Sequence, residues 1–276
     1  MNYDNIYIDG LKKILDKNSL EFNQRKNSFT YRYFGLDIRL NDIDYLPLLN
    51  VRKMFPKTVA AELAWSLLGT QSTEFIKKYS SIWNNFEDEP DKVIPAYGYR
   101  WRKHFGRDQI FELINHLKKD KAGRHGIVST WDPSIDGLNN VGKYKNTPCP
   151  YTFACNIIDN KLNLHVTQRS GDMIIGIPYD IAMYGLLKKA LAKSLHVEDG
   201  DLMFSIIDAH IYKELKEATD IMINNLNMVQ QPFTKKLECL SIEEIINNPD
   251  YFVDYIIDYS KDYNPIDNIK KLKVVQ

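Results

Sequence analysis

Cysteine is scarce in this chain: Cys149, Cys155 and Cys239 are the three in 276 residues. An odd number at wide spacing gives neither a disulfide framework nor a metal-ligand pattern, so a reducing compartment is expected and a metal site is not. Net charge is lacking as well. Lys and Arg number 36, and so do Asp and Glu. A chain so balanced has no overall field to gather nucleic acid or a membrane surface, though a local basic pocket for one phosphate stays compatible with it. Long apolar runs are also missing, and none approaches the length that spans a bilayer. The opening Met1 to Tyr7 has neither the basic nor the apolar region of a secretory leader, so a cytoplasmic protein is expected. With no internal repeat and no linker rich in Gly or Ser, one domain over residues 1–276 is the simplest organisation.

What is present supports a full core: 44% hydrophobic and 12% aromatic residues, a composition that argues against disorder. Apolar spacing predicts helices over residues 3–18, 57–69, 73–83, 108–119, 179–195 and 213–227. A further helix is expected at Ser241–Asn247, opened by Ser241 and Glu244 as a capping pair. Strand patterns fall in Phe29–Leu40, read as a pair around Phe34-Gly35, and in Ile127–Trp131, read as short and buried. A hairpin follows over 151–170 with Asp159-Asn160 at its turn, then Leu202–Ile207, and a last strand at Phe252–Ile257.

The stretch from Asn146 to Tyr184 concentrates the polar chemistry. Cys149 stands between Pro148 and Pro150 at the mouth of the hairpin's first strand. The return strand ends in Gln168-Arg169-Ser170-Gly171-Asp172, polar or without a side chain where an apolar core strand would continue. Such crowding at a strand end in an α/β pattern suggests a site. Two readings of Cys149 stand on the residues alone. A free cysteine is usually a small buried hydrophobe, and Cys155, inside an apolar strand, fits that description. Cys149 differs in its stiffened backbone, its boundary position and Arg169 across the hairpin, a cation that favours a reactive thiolate.

Other residues carry the same double reading. Arg25, Arg124 and Arg169 are solvated surface groups or planar donors for a phosphate dianion, Arg169 with Ser170 beside it. Glu62, inside an apolar helical run, is an ordinary helix charge or a buried carboxylate suited to proton transfer. His210 and Tyr212, two apart at a strand end, offer donors to a hydroxyl or form a satisfied structural pair.

Several ordered motifs together resemble the thymidylate synthase family, which includes the deoxycytidylate hydroxymethylases. They are Pro148-Cys149, Gln168-Arg169-Ser170 with Asp172, Gly176-Ile177-Pro178-Tyr179 and Asp208-Ala209-His210-Ile211-Tyr212. Earlier in the chain come Arg25 ahead of Phe34-Gly35, Glu62-Leu63-Ala64-Trp65, Trp83, Tyr97-Gly98 with Trp101-Arg102, and Arg124. The resemblance covers about residues 20 to 265. It implies an α/β (α+β) fold, a large mixed β-sheet packed by helices, in a homodimer formed through the sheet. It implies a pyrimidine nucleoside monophosphate as substrate and 5,10-methylenetetrahydrofolate as cofactor. Cys149 would add to C6 of the pyrimidine and Glu62 would move protons. Arg25, Gln168, Arg169 and Ser170 would bind the nucleotide, Arg124 would reach the partner's phosphate site, and His210 and Tyr212 would bind the sugar. Asp172 would bind the pterin, with Trp83 and Tyr97 bordering the reacting carbon. Hydride would then yield a methyl group, and water a hydroxymethyl group.

Three departures from the family pattern bear on substrate. Asp180 stands where thymidylate synthases carry asparagine. An amide both donates and accepts, as O4 and N3–H of uracil require, whereas an ionised carboxylate only accepts and suits the 4-amino group of cytosine. The family's cytosine-specific hydroxymethylases have aspartate there, so 5-hydroxymethylation of a cytidine monophosphate, dCMP foremost, is the expected activity. Methyl transfer to the same base and thymidylate synthesis from dUMP are the competing outcomes. An idle nucleotide- or RNA-binding homologue is a different class, which the joint presence of Cys149, Glu62 and Arg169 argues against. Pro150 replaces a histidine of the base's hydrogen-bond network, and His125 replaces a second arginine after Arg124. The tail after Asn268 resembles the family's only loosely.

Overall fold

A computed structural model describes residues 2–24, 26–269 and 272. Helix α1 (Tyr3–Lys17) opens the chain, capped by the Asn2 side chain at its start and by Asn18 in the left-handed region at its end. Of the apolar stripe Ile6, Ile8, Leu11, Ile14 and Leu15 that the spacing predicts, Ile8, Leu11 and Ile14 are buried and Ile6 and Leu15 half-buried, and Tyr7 joins the buried face. Strands β1 (Leu20–Asn23) and β2 (Ser28–Leu40) follow. β2 is one long strand rather than a pair. Gly35 takes φ +73° inside it, yet Phe34 lies opposite Asp208 and Leu36 opposite Ile206, so the register runs through. A glycine bears that angle without cost, which is why a turn-like dipeptide sits in mid-strand.

Helix α2 (Pro56–Leu68) has Pro56 in its first turn and ends at Gly69 with φ +61°. The expected helix over 73–83 breaks into short α3 (Glu74–Lys77) and a separate turn, Ile82–Phe86, that carries Trp83. Competing side-chain bonds fold this segment back on itself: Thr73 donates to Glu87, and Lys77 pairs with both Glu87 and Asp91. Next come α4 (Tyr97–Tyr99), which widens into a π-helical turn at Arg100–His104, and α5 (Gln109–Lys119). Strand β3 (Ile127–Ser129) is shorter than expected, and Ile127 is exposed because β3 is a sheet edge.

The hairpin of β4 (Pro150–Ile158) and β5 (Lys161–Gln168) turns at Asp159-Asn160, both at positive φ, as an Asp-Asn turn permits. β6 (Gly171–Asp172) and helix α6 (Gly176–Leu195) lead to β7 (Glu198–Tyr212). Helices α7 (Lys216–Asn225), α8 (Ile242–Asn247) and α9 (Pro249–Tyr259) complete the described chain. The capping box of Ser241 and Glu244 is present. The strand expected at Phe252–Ile257 is part of α9: Phe252, Val253, Ile256 and Tyr259 bury one helical face behind Pro249, and that spacing outweighs the β-branched composition.

The sheet order is β1-β2-β7-β5-β4-β3, with β6 beside β7. β7 runs parallel to β5 and β6, and the other pairs are antiparallel, so the sheet is mixed. The carboxyl ends of β5 and β7 therefore meet the amino end of β4 at one end of the sheet. Helix α6 is buried along most of its length, with α2 packed against it and against α9. The packing of α2 on α6 brings Glu62 and Asp180 to one cavity at this end of the sheet.

Candidate active site

The site begins with how Cys149 is held. β4 starts irregularly: Pro150 lies opposite Gln168 but Thr152 opposite Thr167, leaving Tyr151 as a bulge. Bulges of this kind re-aim side chains next to sites. Arg169 then fastens the preceding segment at four points. Its backbone amide donates to the Cys149 carbonyl at 2.9 Å, its Nε to Pro148 O at 2.9 Å and its Nη2 to Thr147 O at 2.9 Å, while Nη2 also lies 3.6 Å from the Cys149 Sγ. A guanidinium within reach of sulfur stabilises a thiolate. Cys149 is partly exposed, into a cavity, whereas Cys155 and Cys239 are buried, and burial pushes the Cys239 thiol up to about 12 and the Cys155 thiol higher.

Two carboxyls face the same cavity from α2 and α6. Burial pushes Glu62 up to about 8, opposed by a hydrogen bond from Trp83 Nε1 (3.0 Å) and reinforced by the charge of Asp180. Burial likewise raises Asp180 to about 6, opposed by the Gln168 amide, whose Nε2 donates to Oδ2 at 2.7 Å, and reinforced by Asp172. Glu62 is thus mostly protonated at neutral pH and able to give a proton, while Asp180 is mostly an anion there and takes up a proton as pH falls toward 6.

Trp83 and Tyr97 stand edge to face at 6.1 Å, forming an aromatic wall next to Glu62. Gly98 follows Tyr97 because any Cβ there would run into the Ser66 backbone. His210 and Tyr212 share the pocket face of β7, with rings 5.2 Å apart. Asp172 accepts from the Ile174 and Ile175 amides through Oδ1, at 2.9 and 3.0 Å, and lines the cavity beside Ser170.

Gln168 and Arg124 do not line this cavity. Gln168 is fully buried behind Asp180, so it contacts the carboxylate rather than the cavity. Arg124, expected at a partner's phosphate site rather than its own, is exposed on the loop before β3. Arg25 falls outside the described residues, although its neighbours Asn23 and Lys26 line the cavity. The tail after Asn268, which resembles the family's only loosely, also lies mostly outside them; Asp267, Ile269 and Leu272 line the cavity. Sequence reasoning missed Arg52 and Asn146. Arg52 is buried, donates to the Ile174 carbonyl at 2.5 Å and lines the cavity with Lys53. A basic pair just before a proline-opened helix was the available signal. Asn146 lines the cavity three residues before Cys149.

The cavity measures about 1240 Å³, above the roughly 300–1,000 Å³ usual for one ligand. It has a polar end at Cys149, Arg169 and Asp180 and an apolar flank with Phe55, Ile82 and Ile175. That fits a nucleotide and a second, flatter molecule side by side. A model of the family described as thymidylate synthase matches residues 5–274. The chain belongs to the thymidylate synthase family. Membership makes its chemistry one-carbon transfer to C5 of a pyrimidine nucleotide, and the mixed sheet packed by helices is that family's fold. Thymidylate synthases draw the carbon from methylenetetrahydrofolate, and the apolar flank beside the Asp172 carboxylate has the make-up to hold a pterin. Among the described residues no helix is long and apolar enough to cross a membrane.

The raised Glu62 carboxyl has a consequence for stability. In the unfolded chain it ionises near 4.5, in the folded protein only near 8. Folded protein therefore binds the extra proton across that window, and stability falls as pH climbs through it. Glu62→Gln removes the penalty. Allowing for solvent in the cavity, the variant is expected to be more stable than the parent by on the order of 2–3 kcal/mol at pH 9, with no such gain at pH 4. Urea denaturation at both pH values checks this; an equal gain at both would exclude ionisation as the cause.

Proposed function

We propose that this protein hydroxymethylates C5 of a cytidine monophosphate, dCMP foremost, with methylenetetrahydrofolate as carbon donor. The observation that carries the base assignment is Asp180: a carboxylate, held by Gln168 at 2.7 Å, in the same cavity as Cys149. With Oδ2 engaged by an amide donor, the carboxyl has acceptor capacity left for the 4-amino group of cytosine. Its value near 6 lets it also hold a proton toward N3. Uracil would set O4 against the same oxygens.

In this chemistry the Cys149 thiolate bonds to C6 of the base, and C5 becomes nucleophilic. The bound folate supplies a methylene carbon to C5. Glu62, protonated at neutral pH, delivers and recovers protons. Arg169 and Ser170, with Arg25, hold the 5′-phosphate, and Arg124 reaches it from the second subunit of a homodimer. His210 and Tyr212 bind the sugar hydroxyl, Asp172 binds the pterin, and Trp83 and Tyr97 border the reacting carbon. Once the C5 substituent is an exocyclic methylene, water yields a hydroxymethyl group.

The test is product mass. Protein is incubated with methylenetetrahydrofolate and, separately, dCMP, CMP and dUMP, and both nucleotide and folate products are measured. A hydroxymethylated cytosine nucleotide with tetrahydrofolate is the expected result. A methylated product with dihydrofolate would mean that hydride captures the intermediate, and the same product from dUMP would mean that Asp180 does not select cytosine.

A further inference from the structure

Water capture needs polar groups on the cavity wall near the nucleophile, and the aromatic wall of Trp83 and Tyr97 offers the Tyr97 hydroxyl. Asn146 breaks that wall. Its Nδ2 lies 3.4 Å from the Tyr97 hydroxyl, a long hydrogen bond, and its side chain lines the cavity. The segment it belongs to is the one Arg169 fastens at Thr147, Pro148 and Cys149, so its position is tied to that of the sulfur. Asn146, Tyr97, Cys149 and Asp180 all line the same cavity. Burial raises the Tyr97 phenol, and the nearby charges of Cys149 and Asp180 raise it further. The Tyr97 hydroxyl therefore stays protonated and can donate as well as accept. An amide offers two donors and a carbonyl acceptor, and the Tyr97 contact engages only one donor.

We infer that Asn146, with the Tyr97 hydroxyl, positions the water that attacks the C5 methylene, and so acts as a product-determining residue. The inference rests on the proposed hydroxymethylation. In the step, water oxygen bonds to the exocyclic methylene carbon. The electron pair of that double bond shifts to restore C5=C6, the C6–S bond breaks, and Cys149 leaves as thiolate. The Asn146 carbonyl accepts a hydrogen bond from the water, and the water proton passes through solvent to Glu62, left as carboxylate once it has delivered its own proton. No oxidant or reductant is consumed, and the folate is released as tetrahydrofolate. An apolar side chain at 146 would leave attacking water unanchored at this wall and the covalent adduct waiting.

The experiment compares the parent with Asn146→Leu, Asn146→Ala and Asn146→Ser. It measures hydroxymethyl product, methyl product and the fraction of protein carrying a nucleotide adduct on Cys149 by intact mass, all with dCMP and methylenetetrahydrofolate. Loss of one water-anchoring group is expected to lower hydroxymethyl formation about tenfold in the Leu and Ala variants. Adduct on Cys149 should accumulate, and Asn146→Ser should restore most of the rate. Ala creates no packing demand at this partly exposed position, so it keeps the test open if the Leu variant folds poorly. If the parent hydroxymethylates and the Ala variant matches it in rate and adduct level, this assignment is overturned and the proposed function stands. A parent that forms only methylated nucleotide overturns both.

Discussion

Cys149→Ala is expected to lower turnover by at least about 10⁴-fold while nucleotide affinity stays close to the parent's. The size of the effect follows from the proposed covalent step: without a bond to C6, the C5 carbon of a pyrimidine has no carbanion character with which to attack a methylene carbon. The substitution is interpretable because the segment does not depend on the thiol for its position. Arg169 holds the carbonyls of Thr147, Pro148 and Cys149, all of which persist in the alanine variant. Neither remaining cysteine can stand in, since Cys155 and Cys239 are buried away from the cavity. Cys155→Ala is the matching control: it should destabilise through a small void in β4 and leave turnover intact. Steady-state rates with dCMP, together with intact mass of the quenched enzyme, check both variants. Turnover of Cys149→Ala within tenfold of the parent would sink the covalent mechanism.

The polar end of the site was legible in the sequence because it is local. Cys149, Gln168-Arg169-Ser170 and Asp172 sit on one hairpin and its exit, so the Asp159-Asn160 turn alone brings them together. His210 and Tyr212 could be paired from their spacing of two on one strand. What joined Glu62 and Asp180 to them was not local: it is the packing of α2 on α6, which apolar periodicity reveals only as two buried faces. Arg52 and Asn146 escaped notice for a different reason. Each lies in irregular backbone, where no periodicity says which way a side chain points, and the segment containing Asn146 is positioned by bonds to Arg169 twenty-odd residues later. The errors in the fold share a cause as well. In Phe252–Ile257 strand-like composition competed with helical spacing, and in residues 73–83 a helical spacing competed with the ion pairs of Lys77; in both, tertiary partners decided.

Asp180→Asn is expected to reverse base preference, turning a cytosine-selective protein toward uracil nucleotides by roughly 10³-fold or more in the ratio of kcat/KM values. The reversal has two halves that multiply. An asparagine amide donates to O4 of uracil and accepts from its N3–H, gaining for dUMP what the carboxylate denied; against cytosine it turns a donor toward the 4-amino group and leaves one buried polar contact unmade. Gln168 makes the swap demanding. Its Nε2 now donates to Asp180 Oδ2, and its Oε1 is buried without a partner among the described residues. An asparagine at 180 can place its carbonyl on Nε2 and its amino group toward the base, or flip and donate to Oε1. In the second arrangement the carbonyl faces the base and some cytosine activity persists. Gln168→Leu in the Asp180→Asn background removes the choice and should alter the preference again, whereas the parent with Gln168→Leu should lose affinity for both bases as its carboxylate loses a donor. The pH profile supplies an independent sign. In the parent, a proton toward N3 is available below about pH 6, where Asp180 is protonated, and must be taken up on binding above it. Affinity for dCMP should therefore weaken as pH rises above 6 in the parent and stay flat across that range in Asp180→Asn. Calorimetry in buffers of different ionisation enthalpy reads the proton uptake directly. Unchanged relative rates on dCMP and dUMP, with no proton uptake in the parent, would remove Asp180 from base selection.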